Sequence, residues 1–295
     1  ETTAVNSLTS FNSNGFTLGN GTGVNTNDSG ATYVAWQWNA NNGTAVTNTS
    51  GSITSTVSAN TSSGFSIVTY TGTGSAATIG HGLGVTPAMI IVKERSTTRD
   101  WAVWQSTLAG NQVLFLNSTL ATQTDTAVWN NTLPTSSVFS VSTSTYTNQS
   151  TGTYVAYCFA EVAGYSKFGS YTGNGSTDGP FIYTGFRPKF IMMKDTASSD
   201  WYVYDTVRDT YNAAPDVLNP DLSAAESNGR PIDILSNGFK LRVGSATNPN
   251  VQAFNTRLNE ATLVLAYVVT SISTGDVNPG DVICKVAHLT FKSSA

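Results

Sequence analysis

The residues of this chain whose types could carry chemistry are few. There are two histidines and two cysteines in 295 residues. His81 sits in Ile-Gly-His-Gly-Leu-Gly, a glycine-rich turn. Phosphate binding there would need a helix to follow, with its first N–H groups free. Pro87 and an apolar strand pattern follow instead, which argues against a nucleotide site. His288 lies some 200 residues further on, in unlike surroundings. Cys158 and Cys284 are too few for a disulfide scaffold, and without clustered His and Cys a zinc site is not expected. A catalytic serine is not signalled, because the Gly-x-Ser-x-Gly turn that exposes such a nucleophile is missing.

Carboxylates are the next candidates. Asp100-Trp101 and Asp200-Trp201 are a matched pair, and two acids 5–10 Å apart across a cleft would suit glycoside hydrolysis. Their matching settings favour a plainer role: Asp closes a turn and Trp anchors the strand that follows. No catalytic residue, cofactor or metal is therefore expected, and the chain reads as a non-enzyme. Among the six tryptophans, Trp129 in Ala127-Val-Trp-Asn-Asn-Thr132 has no counterpart elsewhere and is the candidate for an exposed ligand contact.

The matched dipeptides belong to a wider pattern. Gly64–Gly74 and Gly164–Gly175 both end in Tyr-Thr-Gly-x-Gly. Gly84-Val-Thr-Pro-Ala-Met-Ile-Ile-Val-Lys93 matches Gly185-Phe-Arg-Pro-Lys-Phe-Ile-Met-Met-Lys194. The offset stays at 100 or 101, so a tandem repeat of about 100 residues is expected. Ser13-Asn-Gly-Phe-Thr-Leu18 resembles Ser236-Asn-Gly-Phe-Lys-Leu241, with Ser137–Val141 between them. Each precedes an apolar or aromatic run: Tyr33–Trp38, Tyr154–Phe159 and Leu263–Tyr267.

These blocks divide the chain. Residues 1–63 read as a partial repeat plus an extended linker, with Ile53, Ser55 and Val57 on one strand face. Residues 64–163 and 164–270 are the two repeats, and 271–295 a divergent tail with a closing strand at Val282–Phe291. The local pattern is β throughout: short β-branched and aromatic runs such as Ile90–Lys93, Ala102–Trp104, Val113–Leu116, Phe190–Lys194 and Tyr202–Tyr204, cut by Gly, Asn, Asp or Pro. The only helical hint is Leu222–Asn228. The fold class expected is all-β, tandem antiparallel β-sandwich-like repeats preceded by a partial one.

Composition narrows the function further. Charged residues are 11% and hydrophobic ones 39%, with a net charge of −4. An acidic balance argues against nucleic-acid binding, which requires a basic face. No apolar run approaches the roughly 20 residues of a membrane-spanning helix.

Residues 154–181, with Gly185–Phe190, Leu235–Leu241 and Tyr33–Trp38, resemble a repeated β-domain in structural and tail-fibre-like proteins of marine bacteriophages. The resemblance spans about residues 10–245. It implies a virion or extracellular structural role, fibre-like or surface-exposed, with other virion proteins as partners. A carbohydrate-binding adhesive module contacting a host-surface glycan is the alternative, as is a filament subunit assembled by strand complementation. Because the chain opens at Glu1 inside a unit, an upstream portion is expected. The half unit would leave Tyr33, Trp36 and Trp38 exposed as assembly contacts of a homo-oligomer, a trimer by the phage analogy.

Overall fold

The computed structural model describes residues 8–12, 15–19, 27–29, 31–41, 44–174, 176 and 178–242, and the backbone of 261–267. His288, Cys284 and Val282–Phe291 lie outside the described residues. Among the described residues the fold is all-β, with several antiparallel sheets and two helices of four residues each.

The largest sheet has eight strands. In chain order they are β3 (Val46–Asn48), β4 (Ser55–Asn60), β5 (Phe65–Thr71), β7 (Met89–Glu94), β8 (Ala102–Gln105), β9 (Gln112–Phe115), β10 (Gln123–Thr124) and β12 (Thr153–Phe159). In space they run β10-β9-β8-β7-β12-β5-β4-β3. At its centre, β7 is buried along its whole length, and its Met-Ile-Ile-Val reads as a continuous apolar run. Beside it β12 alternates: Tyr154, Ala156 and Cys158 are fully buried, while Val155 and Tyr157 are half-buried. Ile53, Ser55 and Val57 turn inward together, as their spacing predicts.

A two-stranded sheet, β6 (Ala77–Gly80) with β11 (Val138–Val141), lies over one face of the large sheet. Tyr70 meets Phe139 edge-on at 6.2 Å and stacks on Tyr154 at 5.1 Å. The helices α1 (Thr126–Trp129) and α2 (Thr145–Asn148) flank this layer, N-capped by Asp125 and Ser144.

The later part of the chain forms two further sheets. One has the order β13-β19-β15-β16, from β13 (Ser166–Thr172), β19 (Ala261–Tyr267), β15 (Phe190–Asp195) and β16 (Trp201–Asp205). The other is β14-β18-β17, from β14 (Asp178–Tyr183), β18 (Gly238–Arg242) and β17 (Ile232–Leu235). Alternate residues of β15 serve two cores. Phe190 and Met192 join a core that starts at Trp36 and includes Ile91, Phe159, Trp201 and Val203. Ile191 and Met193 join a second core with Tyr202, Tyr204, Ile234 and Phe239. The first core therefore crosses residue 163, where the sequence places a boundary. A separate hairpin, β1 (Leu8–Asn12) with β2 (Gly15–Leu18), sets Asn12 opposite Gly15, just as Leu235 lies opposite Gly238.

Two local expectations fail. Leu222–Asn228 is not helical; Ser227 instead bridges Val217. Tyr33–Trp38 is extended but belongs to no strand ladder. Its alternation is real, since Trp36, Trp38 and Ala40 all point inward.

Candidate functional site

The aromatic candidates move from the surface to the interior. Trp129 is only 3% exposed. The helix α1, started by the Asp125 side chain accepting from Ala127 N, turns it into the core rather than out of a loop. It is not an exposed ligand contact. Trp36 and Trp38 are likewise buried. Both meet Phe190 edge-on, at 5.6 and 5.3 Å, and Trp38 also meets Phe159 at 6.2 Å. These two side chains are covered by the chain itself and are not available for assembly. Tyr33 alone of the three remains open, at 50% exposure, its hydroxyl accepting from Asp28 N.

The Trp36 indole leads to a cluster of charged side chains. Its Nε1 donates to Asp205 Oδ2 at 3.1 Å, and Arg208 Nε donates to the same oxygen at 2.7 Å. Asp205 Oδ1 accepts from the main-chain N–H of Val207 and Arg208. Arg208 also reaches Glu226 Oε2 at 2.5 Å and the Val203 carbonyl at 3.1 Å. Burial pulls the guanidinium down, but Asp205 and Glu226 outweigh it and leave Arg208 raised. Asp205 thereby holds the turn that follows β16.

The matched acids behave similarly. Asp100 accepts from Asn117 Nδ2 at 2.8 Å, and Asn117 Oδ1 accepts from Trp101 N at 2.9 Å. Beyond residue 200, Asp221 Oδ1 accepts from Trp201 N at 3.1 Å, and Tyr202 donates to Asp200 at 3.4 Å. Burial, reinforced by Asp200, pushes Asp221 up to about 6 against the opposing pull of the Trp201 N–H and Lys194. Arg230 lies 4.4 Å over the Tyr202 ring. Buried Lys93 and Lys194 donate to the carbonyls of Glu94 and Asp195, each at 2.8 Å.

His81 is fully buried, with Nε2 3.1 Å from the Thr135 carbonyl and Nδ1 accepting from Leu83 N at 3.2 Å. That pattern selects the neutral Nε2–H tautomer. Burial lowers the imidazole's affinity for a proton, with Thr135 acting the other way. Cys158 is a buried free thiol pushed up to about 12 by burial, so it is not a ready thiolate. Asn148 clamps one end of the large sheet, donating to Ser75 and Ser142 carbonyls and accepting from Thr73 N. Among the described residues no three His, Cys, Asp or Glu side chains gather to hold a metal ion. No described helix is long and apolar enough to cross a membrane.

Asp205, Arg208, Asp221 and Asn148 were not singled out by sequence. Only Asp205 carried a signal, since it follows a strand at the place Gln105 occupies one hundred residues earlier.

The geometry defines a β-sandwich-like, all-β protein in which His81, Asn148, Asp205 and Asp221 bond main-chain groups of the fold. The chain belongs to the family described as Domain of unknown function (DUF7483), whose model matches residues 1–254. No curated protein and no solved structure matches it.

Proposed function

We propose that the chain is a non-enzymatic structural protein, a fibre-like or surface-exposed component of a bacteriophage particle. We further propose that it is built from two successive copies of one sandwich unit after a partial one. The observation that carries the structural reading is where the polar chemistry goes. His81, Asn148, Asp205 and Asp221 each hold main-chain groups of the fold.

The tandem reading is supported by register. Ile91 faces Tyr157 and Val103; Met192, 101 residues on, faces Leu265 and Val203. Tyr70 faces Tyr154, which faces Glu94; Tyr171 faces Thr262, which faces Asp195. Ile79 faces Phe139, and Ile182 faces Phe239. The order β5-β12-β7-β8 thus has its counterpart in β13-β19-β15-β16. The phage setting rests on the sequence resemblance.

Self-association belongs to the same proposal. An isolated two-stranded hairpin is marginal in water, and β1–β2 leaves Phe11 39% exposed. With Trp36 and Trp38 covered, the contact of a homo-oligomer falls to this hairpin and Tyr33. Electron microscopy of particles labelled with an antibody to this chain tests the setting. Labelled fibres or surface projections are expected, and unlabelled virions with labelled cell filaments would favour the filament reading. Light scattering tests the assembly, and a stable 31.1 kDa monomer would exclude it.

A further inference from the structure

The outer face of the three-stranded sheet carries a feature that the folding network does not use. Phe181 and Tyr183, two residues apart on β14, are 44% and 65% exposed. Alternation puts them on one face, with Cα atoms about 7 Å apart. Across from Phe181 stands Lys240, and across from Asp178 stands Arg242. Lys240 Nζ lies 2.9 Å from Asp178 Oδ1, Arg242 Nη1 3.3 Å from the same oxygen, and Arg242 Nε 2.6 Å from Asp233 Oδ2. Two cations are matched by two carboxylates, so the face has donors and acceptors but no net charge.

Two glycines stand beside the rings. Gly238 stands opposite Tyr183, and a Cβ there would lie 2.9 Å from Phe181 Cζ. The same Cβ would fall 2.1 Å from the Ile182 carbonyl oxygen, so the close approach of the two strands requires glycine there and also leaves the space beside the ring clear. A Cβ on Gly185 would start 3.7 Å from the Tyr183 hydroxyl. Neither glycine sets a side chain against the exposed rings.

The corresponding face of β6 has a different fate. Ile79 faces Phe139 there as Ile182 faces Phe239 here. The flanking residues of β6 are Thr78 and Gly80, and the chain's own residues 48–53 lie against them. Ser52 and Thr78 exchange two hydrogen bonds of 2.9 Å, and a Cβ on Gly80 would fall 2.1 Å from Asn48 Oδ1. On β6, then, hydroxyl and amide groups fill the place that stands open beside Tyr183 and Phe181.

We propose that the outer face of β14 and β18 binds a neutral oligosaccharide. Tyr183 and Phe181 take the apolar faces of its sugar rings, whose C–H groups suit the negative face of an aromatic ring. Asp178, Lys240 and Arg242 bond its hydroxyls. The paired charges favour an uncharged polyol over a polyanion, which would need unmatched cations. Exposed aromatic surface rimmed by polar groups is the usual mark of an interaction site.

The test is a glycan array carrying neutral, sialylated and sulfated glycans, probed with the full chain, followed by calorimetry on the best neutral hit. Binding to neutral glycans is expected, weakened about tenfold or more in Tyr183→Ala or Phe181→Ala but little changed in Tyr183→Phe. Unchanged melting temperatures would show that the alanine variants remain folded. The proposal is overturned if no neutral glycan binds, if only sialylated or sulfated glycans bind, or if both alanine variants bind as wild type. It is also overturned if Tyr183→Ala merely turns an oligomer into a monomer, since a second copy is then the occupant.

Discussion

At two matched positions, residues 64–163 use an amide where residues 164–242 use a carboxylate. Before β8, Asn117 caps the Trp101 N–H; before β16, Asp221 caps the Trp201 N–H. At the far ends, Gln105 accepts from Thr107, and Asp205 accepts from Val207 and Arg208. The backbone needs an acceptor at each place, and either chemistry supplies one. A carboxylate adds a charge that must then be matched, which Arg208 does for Asp205. Asp221 is partly buried and has Asp200 close by, so its proton comes off late. At the cap before the tryptophan strand, the later part of the molecule carries a titrating group and the earlier part does not.

The strongest way to break this comparison is at the seam between the two parts. Trp201 is buried in the shared core, and its Nε1 donates to the Phe115 carbonyl at 2.9 Å. Trp201→Ala should cost about 3–5 kcal/mol. Urea unfolding followed by circular dichroism should remain a single transition at a lower midpoint. Two transitions, with only one shifted, would mean that the parts unfold independently.

Asp205→Asn ranks next. Asp205 is 1% exposed, and its loss leaves Arg208, 12% exposed, with Glu226 as the remaining carboxylate in ion-pair contact. A cost of about 3 kcal/mol is expected, as for other buried pairs cut on one side. Gln105→Ala, which removes only neutral hydrogen bonds, should cost about 1 kcal/mol. Equal costs in chemical denaturation would erase the distinction between the two parts.

Asp221 gives a smaller effect with a definite sign. Its folded value of about 6 lies above the ordinary carboxylate value of about 4. The folded state therefore binds the extra proton between those values. The stability associated with it is full below about pH 4 and lost as pH rises through about 6. Allowing for partial solvent exposure, the loss is about 1 kcal/mol. Asp221→Asn should recover roughly that amount at pH 7 and flatten the melting temperature between pH 4 and 7. The reciprocal Asn117→Asp should bring a slope of the same sign, below about 1 kcal/mol, to the other part. A slope unchanged in Asp221→Asn would place the titrating group elsewhere.

The strands were largely legible in the sequence. Ile90–Lys93, Ala102–Trp104, Phe190–Lys194 and Tyr154–Phe159 fall within β7, β8, β15 and β12. Their β-branched and aromatic runs between turn residues leave little choice of backbone. What a strand pairs with is not local information. Tyr33–Trp38 announces an extended backbone with alternating faces, and has it, yet joins no ladder because its indoles fill the seam against Phe190. Trp129 escaped for a related reason: a four-residue helix is too short to show a 3.6-residue period. The acceptors at Asp205 and Asp221 depend on donors brought to them by the fold, and no spacing encodes that. Phe181 and Tyr183 were not singled out: β14 was not among the expected strands, and nothing in the sequence says which face of it stays uncovered.

The bond from Trp36 to Asp205 joins residues 169 apart in sequence. On a ribosome adding 5–20 residues per second, the indole of Trp36 waits roughly 10–30 s for its acceptor to be made. Phe190, the ring against which both early tryptophans pack, arrives only slightly sooner. Through that interval the nascent chain carries two large apolar side chains with nowhere to go. Synthesis of this protein thus leaves a window in which a chaperone, or a neighbouring nascent chain, competes with its own later residues for the same surface.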